Sequence, residues 1–190
     1  SANNQTYAVA NVTAKDVSFN NLAGTETINI FHADKVTTTL KDASGSTDAL
    51  TFNIKTASDS VGVNQLISDI VVSNVETVTI DSSGLTSGNT NTVSAFSGDA
   101  SLIRLNVTGS STLTLTDTGS DNSKLATINA STFTGDLSVD FRPSQVLGDF
   151  IVELDAVLSN KRCTPKFFTV SRIADSNNYL VGGGFDRDIR

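Results

Sequence analysis

The chain has 190 residues, long enough to bury a sizeable core in one or two domains. Hydrophobic residues make up 38% of it and charged residues 17%, so Thr, Ser, Asn, Asp and Gly must fill a largely neutral surface. Val, Ile, Leu and Phe recur throughout, which excludes a highly charged disordered chain, and a net charge of −7 argues against nucleic acid and anionic membranes as partners. Cys163 is the single cysteine, so no disulfide framework forms within the chain. No run of about 18 apolar residues is present, and membrane insertion is not expected. The chain begins at Ser1 and lacks Met, so a processed product or a piece of a longer protein is expected.

In chain order, apolar and polar residues alternate over 27–30, 50–54, 75–80, 113–116 and 137–141. Such alternation places one side of each strand in a core and the other in water. Polar turn residues bound these runs, as in Asp42-Ala43-Ser44-Gly45-Ser46 and Thr118-Gly119-Ser120-Asp121-Asn122. One segment, 63–71, has apolar residues at 63, 66, 67, 70 and 71, the spacing of one helix face, with Asp59 or Ser60 as its N-cap. A second helix is expected over 147–158, with Phe150, Ile151, Leu154 and Leu158 facing one way.

Repetition narrows the architecture. The stretch Leu102-Ile103-Arg104-Leu105-Asn106-Val107-Thr108, with Ser111 to Leu115 after it, is echoed by Leu125-Ala126-Thr127-Ile128-Asn129-Ala130-Ser131 and then Thr134 to Val139. Looser copies begin at Thr25 and Val75. The clear pair lies about two dozen residues apart, within the range of stacked supersecondary units that cannot bury their apolar faces alone. The expected fold is all-β, a parallel β-solenoid of short-strand repeats, with a β-sandwich as the alternative. Composition changes near residue 142. Acidic residues outnumber basic ones by 14 to 6 before it, while the counts from Arg142 onward are 6 and 7. Residues 1–141 are therefore expected to form the repeat domain, and 142–190 a less regular cap or small separate unit.

The chemistry-bearing residues are few. His32 is the only histidine, no nucleophile-elbow motif occurs, and one Cys with one His falls short of a zinc ligand set. Basic neighbours Lys161, Arg162 and Lys166 flank Cys163, where an idle thiol is the plainer reading. Acidic loops point instead to calcium, a hard cation that prefers oxygen ligands. Asp117, Asp121 and Asn122 share one tight loop, and Asp186 and Asp188 follow three glycines; Asp99, after Gly98, is a weaker third candidate. Ordinary turn duty is the competing role for all of them. Four Asn-x-Ser/Thr triplets, at Asn4, Asn11, Asn106 and Asn129, would matter only in a glycosylating source.

The phrases Val75-Glu76-Thr77-Val78-Thr79-Ile80, Leu105 to Thr116 and Ala126 to Val139 resemble the RTX-type surface-layer proteins that Gram-negative bacteria export by type I secretion. The resemblance spans roughly residues 20 to 141 and is shared in part by large repeat adhesins. It implies a β-solenoid in a two-dimensional, calcium-dependent lattice on the outer cell surface, anchored to lipopolysaccharide through another region. The family's Gly-Gly-x-Gly-x-Asp-x-apolar-x repeat occurs here as one degenerate copy, from Gly182 to Ile189. The expected function is thus a secreted structural protein, not an enzyme, that self-associates in a lattice or oligomer. The alternative is an adhesin or binding module for cell-surface polysaccharide.

Overall fold

The computed structural model describes residues 5–8, 16–31, 33–54, 65–83, 90–116 and 122–140, and the backbone of 9, 151–154, 168–170 and 179–182. Alternating Thr and β-branched residues suit a pleated surface, and the elements formed are short strands. Along the chain they are β1 (Thr6–Val9), β2 (Asp16–Leu22), β3 (Thr27–Ile30), β4 (Lys35–Leu40), β5 (Ala49–Ile54), β6 (Gln65–Ile67), β7 (Asp69–Val72), β8 (Thr77–Ser82) and β9 (Thr90–Val93). There follow β10 (Phe96–Gly98), β11 (Arg104–Gly109), β12 (Thr112–Thr116), β13 (Thr127–Asn129), β14 (Leu137–Asp140), β15 (Ile151–Leu154), β16 (Phe168–Val170) and β17 (Tyr179–Gly182).

These strands wind into a parallel β-solenoid. A first sheet of eight strands has the order β1-β3-β5-β8-β11-β13-β15-β17, a second of four has β10-β7-β4-β2, and a third of five has β16-β14-β12-β9-β6. Every pairing is parallel, which rules out the antiparallel Greek-key sandwich. The two clearest sequence echoes are stacked neighbours: Leu105 pairs with Ile128 and Leu113 with Leu137. Strands β15, β16 and β17 join the first and third sheets beyond residue 142.

The core is a set of inward rows running along the solenoid. On the first sheet Ile28, Phe52, Ile80 and Val107 follow one another in register, as do Leu50, Val78, Leu105 and Ile128. All eight are buried. Val36, Ile70 and Phe96 form the matching row of the second sheet, and Ile67, Val93, Leu115 and Val139 that of the third. Half-buried Tyr7, Val17, Phe19 and Leu40 pack against this core, with the Tyr7 and Phe19 rings tilted at 5.3 Å between centroids.

Among the described residues neither expected helix forms. The segment 65–72 is instead β6, a corner at Ser68, and β7. Its helical spacing arises because a corner shifts the alternation: Ile67, Ile70 and Val72 face in, while Leu66 is 63% exposed. Backbone amides of Ser68 and Asp69 both donate to the Asp34 carbonyl, which sets the corner, and parallel partners on β4 and β9 supply what a lone helix turn lacks. The second expected helix meets β15, whose residues pair with β13 and β17. The remainder of 147–158, and the N-cap candidates Asp59 and Ser60, lie outside the described residues.

Corners between sheets are tight. Gly109 has a φ of 109°, and a Cβ there would meet the Ser82 carbonyl carbon at 2.5 Å, so both conformation and space require glycine. Core rows are equally unforgiving. Phe52, fully buried between Ile28 and Ile80, is expected to cost about 3–5 kcal/mol of stability when replaced in Phe52→Ala. Urea unfolding of both proteins checks this, with the midpoint falling in the variant.

Candidate functional site

The outer faces carry the most regular chemistry. On the first sheet one outward row reads Thr27, Thr51, Thr79, Asn106, Asn129, and a second reads Asn29, Asn53, Asp81, Thr108. These side chains hold one another. Asn53 Nδ2 donates to Asn29 Oδ1 at 2.8 Å, and Asn106 Nδ2 to Thr79 Oγ1 at 3.3 Å. On the third sheet Thr90 and Thr92 stand beside Thr112 and Thr114, with Ser138 next in the second of these rows. With strands spaced by about 4.8 Å, the result is a two-dimensional array of hydroxyl and amide groups, interrupted by the Asp81 carboxylate. On the second sheet the outer row is charged instead: Asp16, Lys35 and Asp69 stand in register, and Lys35 Nζ bonds Asp69 Oδ2 at 2.9 Å. That bond and the charge of Asp69 raise the Lys35 pKa above its ordinary value, with Asp16 adding to the effect.

Acidic residues gather at the corner where the chain enters the first sheet, and most of their oxygens are already engaged. Buried Glu26 accepts from its own turn: Oε1 from the Ala23 amide at 2.6 Å, and Oε2 from those of Gly24 and Thr25 at 2.9 and 3.0 Å. Glu76 Oε2 accepts from the Asp48 amide at 2.8 Å. Asp99 accepts from the amides of Asn74 and Ser101, and so performs turn duty. Asp42 Oδ1 accepts from the Ser44 hydroxyl and amide, which hold its carboxyl below the ordinary carboxylate value.

Asp48 differs. Its Oδ2 is buried with no hydrogen-bond partner, and its carboxylate lies where Cβ atoms on Gly24 or Gly45 would sit. Burial pushes its pKa up, and the charges of Glu76, Asp42 and Glu26 push the same way. A carboxyl whose pKa is raised in the folded state opposes folding while ionised; its stabilising form is fully present below the ordinary aspartate value of 3.8 and is lost as pH rises through the folded value. Asp48→Asn should therefore stabilise the protein at pH 7. The gain in melting temperature over wild type should shrink as pH falls toward 3.8, which parallel melts across that range would show.

Of the residues expected to bind calcium, Asp117, Asp121, Asp186 and Asp188 lie outside the described residues, as do His32 and Cys163. Asn122 is described, and its side chain faces inward. It is fully buried; Oδ1 accepts from the Gly98 amide at 2.7 Å and Nδ2 donates to the Phe96 carbonyl at 3.2 Å. The amide thus completes the hydrogen bonding of β10, where the second sheet ends. Among the described residues, no group of three or more His, Cys, Asp or Glu side chains is arranged to hold a metal ion. Asn122→Ala leaves the buried Gly98 N–H and Phe96 carbonyl without these partners, at an expected cost of about 1–3 kcal/mol for each group left unpaired. Loss of hydrogen-exchange protection at Gly98 would report it directly.

The fold and the outer rows define a parallel β-solenoid with polar, largely neutral faces on its first and third sheets. No family model, curated protein or solved structure matches the chain.

Proposed function

We propose that this chain is a structural cell-surface protein, a segment of a surface layer that self-assembles on the outside of a bacterial cell in a calcium-dependent way. The observation that supports this reading is the ordered array of Thr, Asn and Ser side chains on the first and third sheets. Each row repeats from turn to turn on a stacked scaffold, and side chains within it are held by their neighbours. A nearly neutral face lets a second subunit approach without like-charge repulsion, although the chain as a whole carries −7. The carboxylates of Asp117, Asp121, Asp186 and Asp188 are the groups that calcium would bridge between neighbours. The same hydroxyl and amide rows suit the hydroxyls of a polysaccharide, which makes an adhesin or glycan-binding module the second reading.

Light scattering with negative-stain imaging, in calcium and then in chelator, separates them. Ordered sheets or larger oligomers that form in calcium and dissolve in chelator are expected. A monomer in both buffers overturns the assembly reading, and binding on a glycan array by that monomer would favour the second.

A further inference from the structure

Where the chain turns from the first sheet into the third, polar side chains lie inside the core. Ser82 and Asn91 are fully buried, and Ser111 and Gln65 nearly so, at 3% and 4% exposure. Ser82 Oγ donates its one hydrogen to the Ser111 carbonyl at 3.1 Å, so it can only accept from Asn91 Nδ2, which stands at 2.8 Å. That contact orients the Asn91 amide, with nitrogen toward Ser82 and Oδ1 turned away. Asn91 Oδ1 is then a buried acceptor with no partner, and Gln65 Nε2 is a buried donor with none. The β6–β9 register sets these two residues side by side, and both side chains face the interior.

We propose that Gln65 and Asn91 together form a binding site for one internal water molecule, which accepts from Gln65 Nε2 and donates to Asn91 Oδ1. Water is the smallest ligand that does both, and buried amide groups left apart in this way are normally satisfied by it. A cation is opposed by the amide NH2 group, an anion by the carbonyl oxygen, and an apolar guest by both. The water completes a chain of hydrogen bonds from Gln65 through Asn91 and Ser82 to the Ser111 carbonyl, joining three successive turns.

Its role is to fix how those turns stack where the third sheet begins. The same register position is taken by Leu113 and Leu137 in the next two strands of that sheet, so the polar pair is confined to its first two. A one-residue slip here would carry the amides to the outer face and break the chain.

A crystal structure of the full chain at high resolution tests the site directly. One ordered water within hydrogen-bond reach of Gln65 Nε2 and Asn91 Oδ1 is expected; a dry site, or a direct bond between the two amides, overturns the proposal. Gln65→Leu and Asn91→Leu, singly and together, provide a second measurement by urea unfolding. Each single change strands the other amide and lowers the midpoint, whereas the double variant extends the leucine row and recovers it. Additive effects of the two changes would show that they share no bridging partner, and would also overturn it.

Discussion

No turn of this solenoid can bury its own inward side chains; each must lie in register against the next. A strand such as β5 presents Leu50, Phe52 and Ile54 on its inner side, and the neighbours that cover the first two are Val78 and Ile80 on one flank, with Ile28 on the other. Parallel pairing follows, because the chain must return to the same sheet in the same direction after each circuit. Tight corners follow as well. A Cβ at Gly135 would fall 2.7 Å from the Ser111 carbonyl oxygen, and one at Gly109 would meet Ser82. Where a sheet stops, its last strand needs other partners, and the Asn122 amide supplies two of them to β10.

The same stacking decides what the polar residues do. Outside, it aligns hydroxyls and amides into rows that bond along the solenoid axis. At the corner preceding the first sheet it brings carboxylates together, and there Glu26, Glu76, Asp42 and Asp99 are held by backbone amides. A carboxylate that accepts from turn N–H groups caps the bend and gives up part of its capacity for an external ligand. Among the described carboxylates this turn duty occupies many of the oxygens, and the outer rows become the stronger basis for a functional reading. Inside, stacking leaves little room for polar atoms, so Gln65 and Asn91 stand out in a row that continues with Leu113 and Leu137.

Much of this was present in the order of the residues. Alternation marks β3, β5, β8, β12 and β14, because inward and outward positions differ in polarity along a half-buried strand. The echo between 102–115 and 125–139 specifies neighbours, since stacked turns need like residues at like positions. The helix expected over 63–71 fails for a definite reason. A corner at Ser68 inserts one position between two short strands, and the resulting offset matches helical spacing until β4 and β9 are seen on either side. Asn122 has a role that its place in the sequence does not announce: it follows an acidic run, and in space it meets the buried amide and carbonyl of β10.

By itself, then, the sequence determined the class of structure, all-β and repetitive, along with its strand faces and the near-neutral surface those faces present. These are local properties, set by the polarity of residues two apart and by the turn formers between runs. Only the tertiary structure decided that the strands divide among three sheets, that loop asparagine and corner carboxylates are bound inward to backbone, and that Gln65 lies beside Asn91. Each of these depends on which atoms from another turn stand within about 3 Å, the reach of a hydrogen bond, and residue order alone carries no such distance.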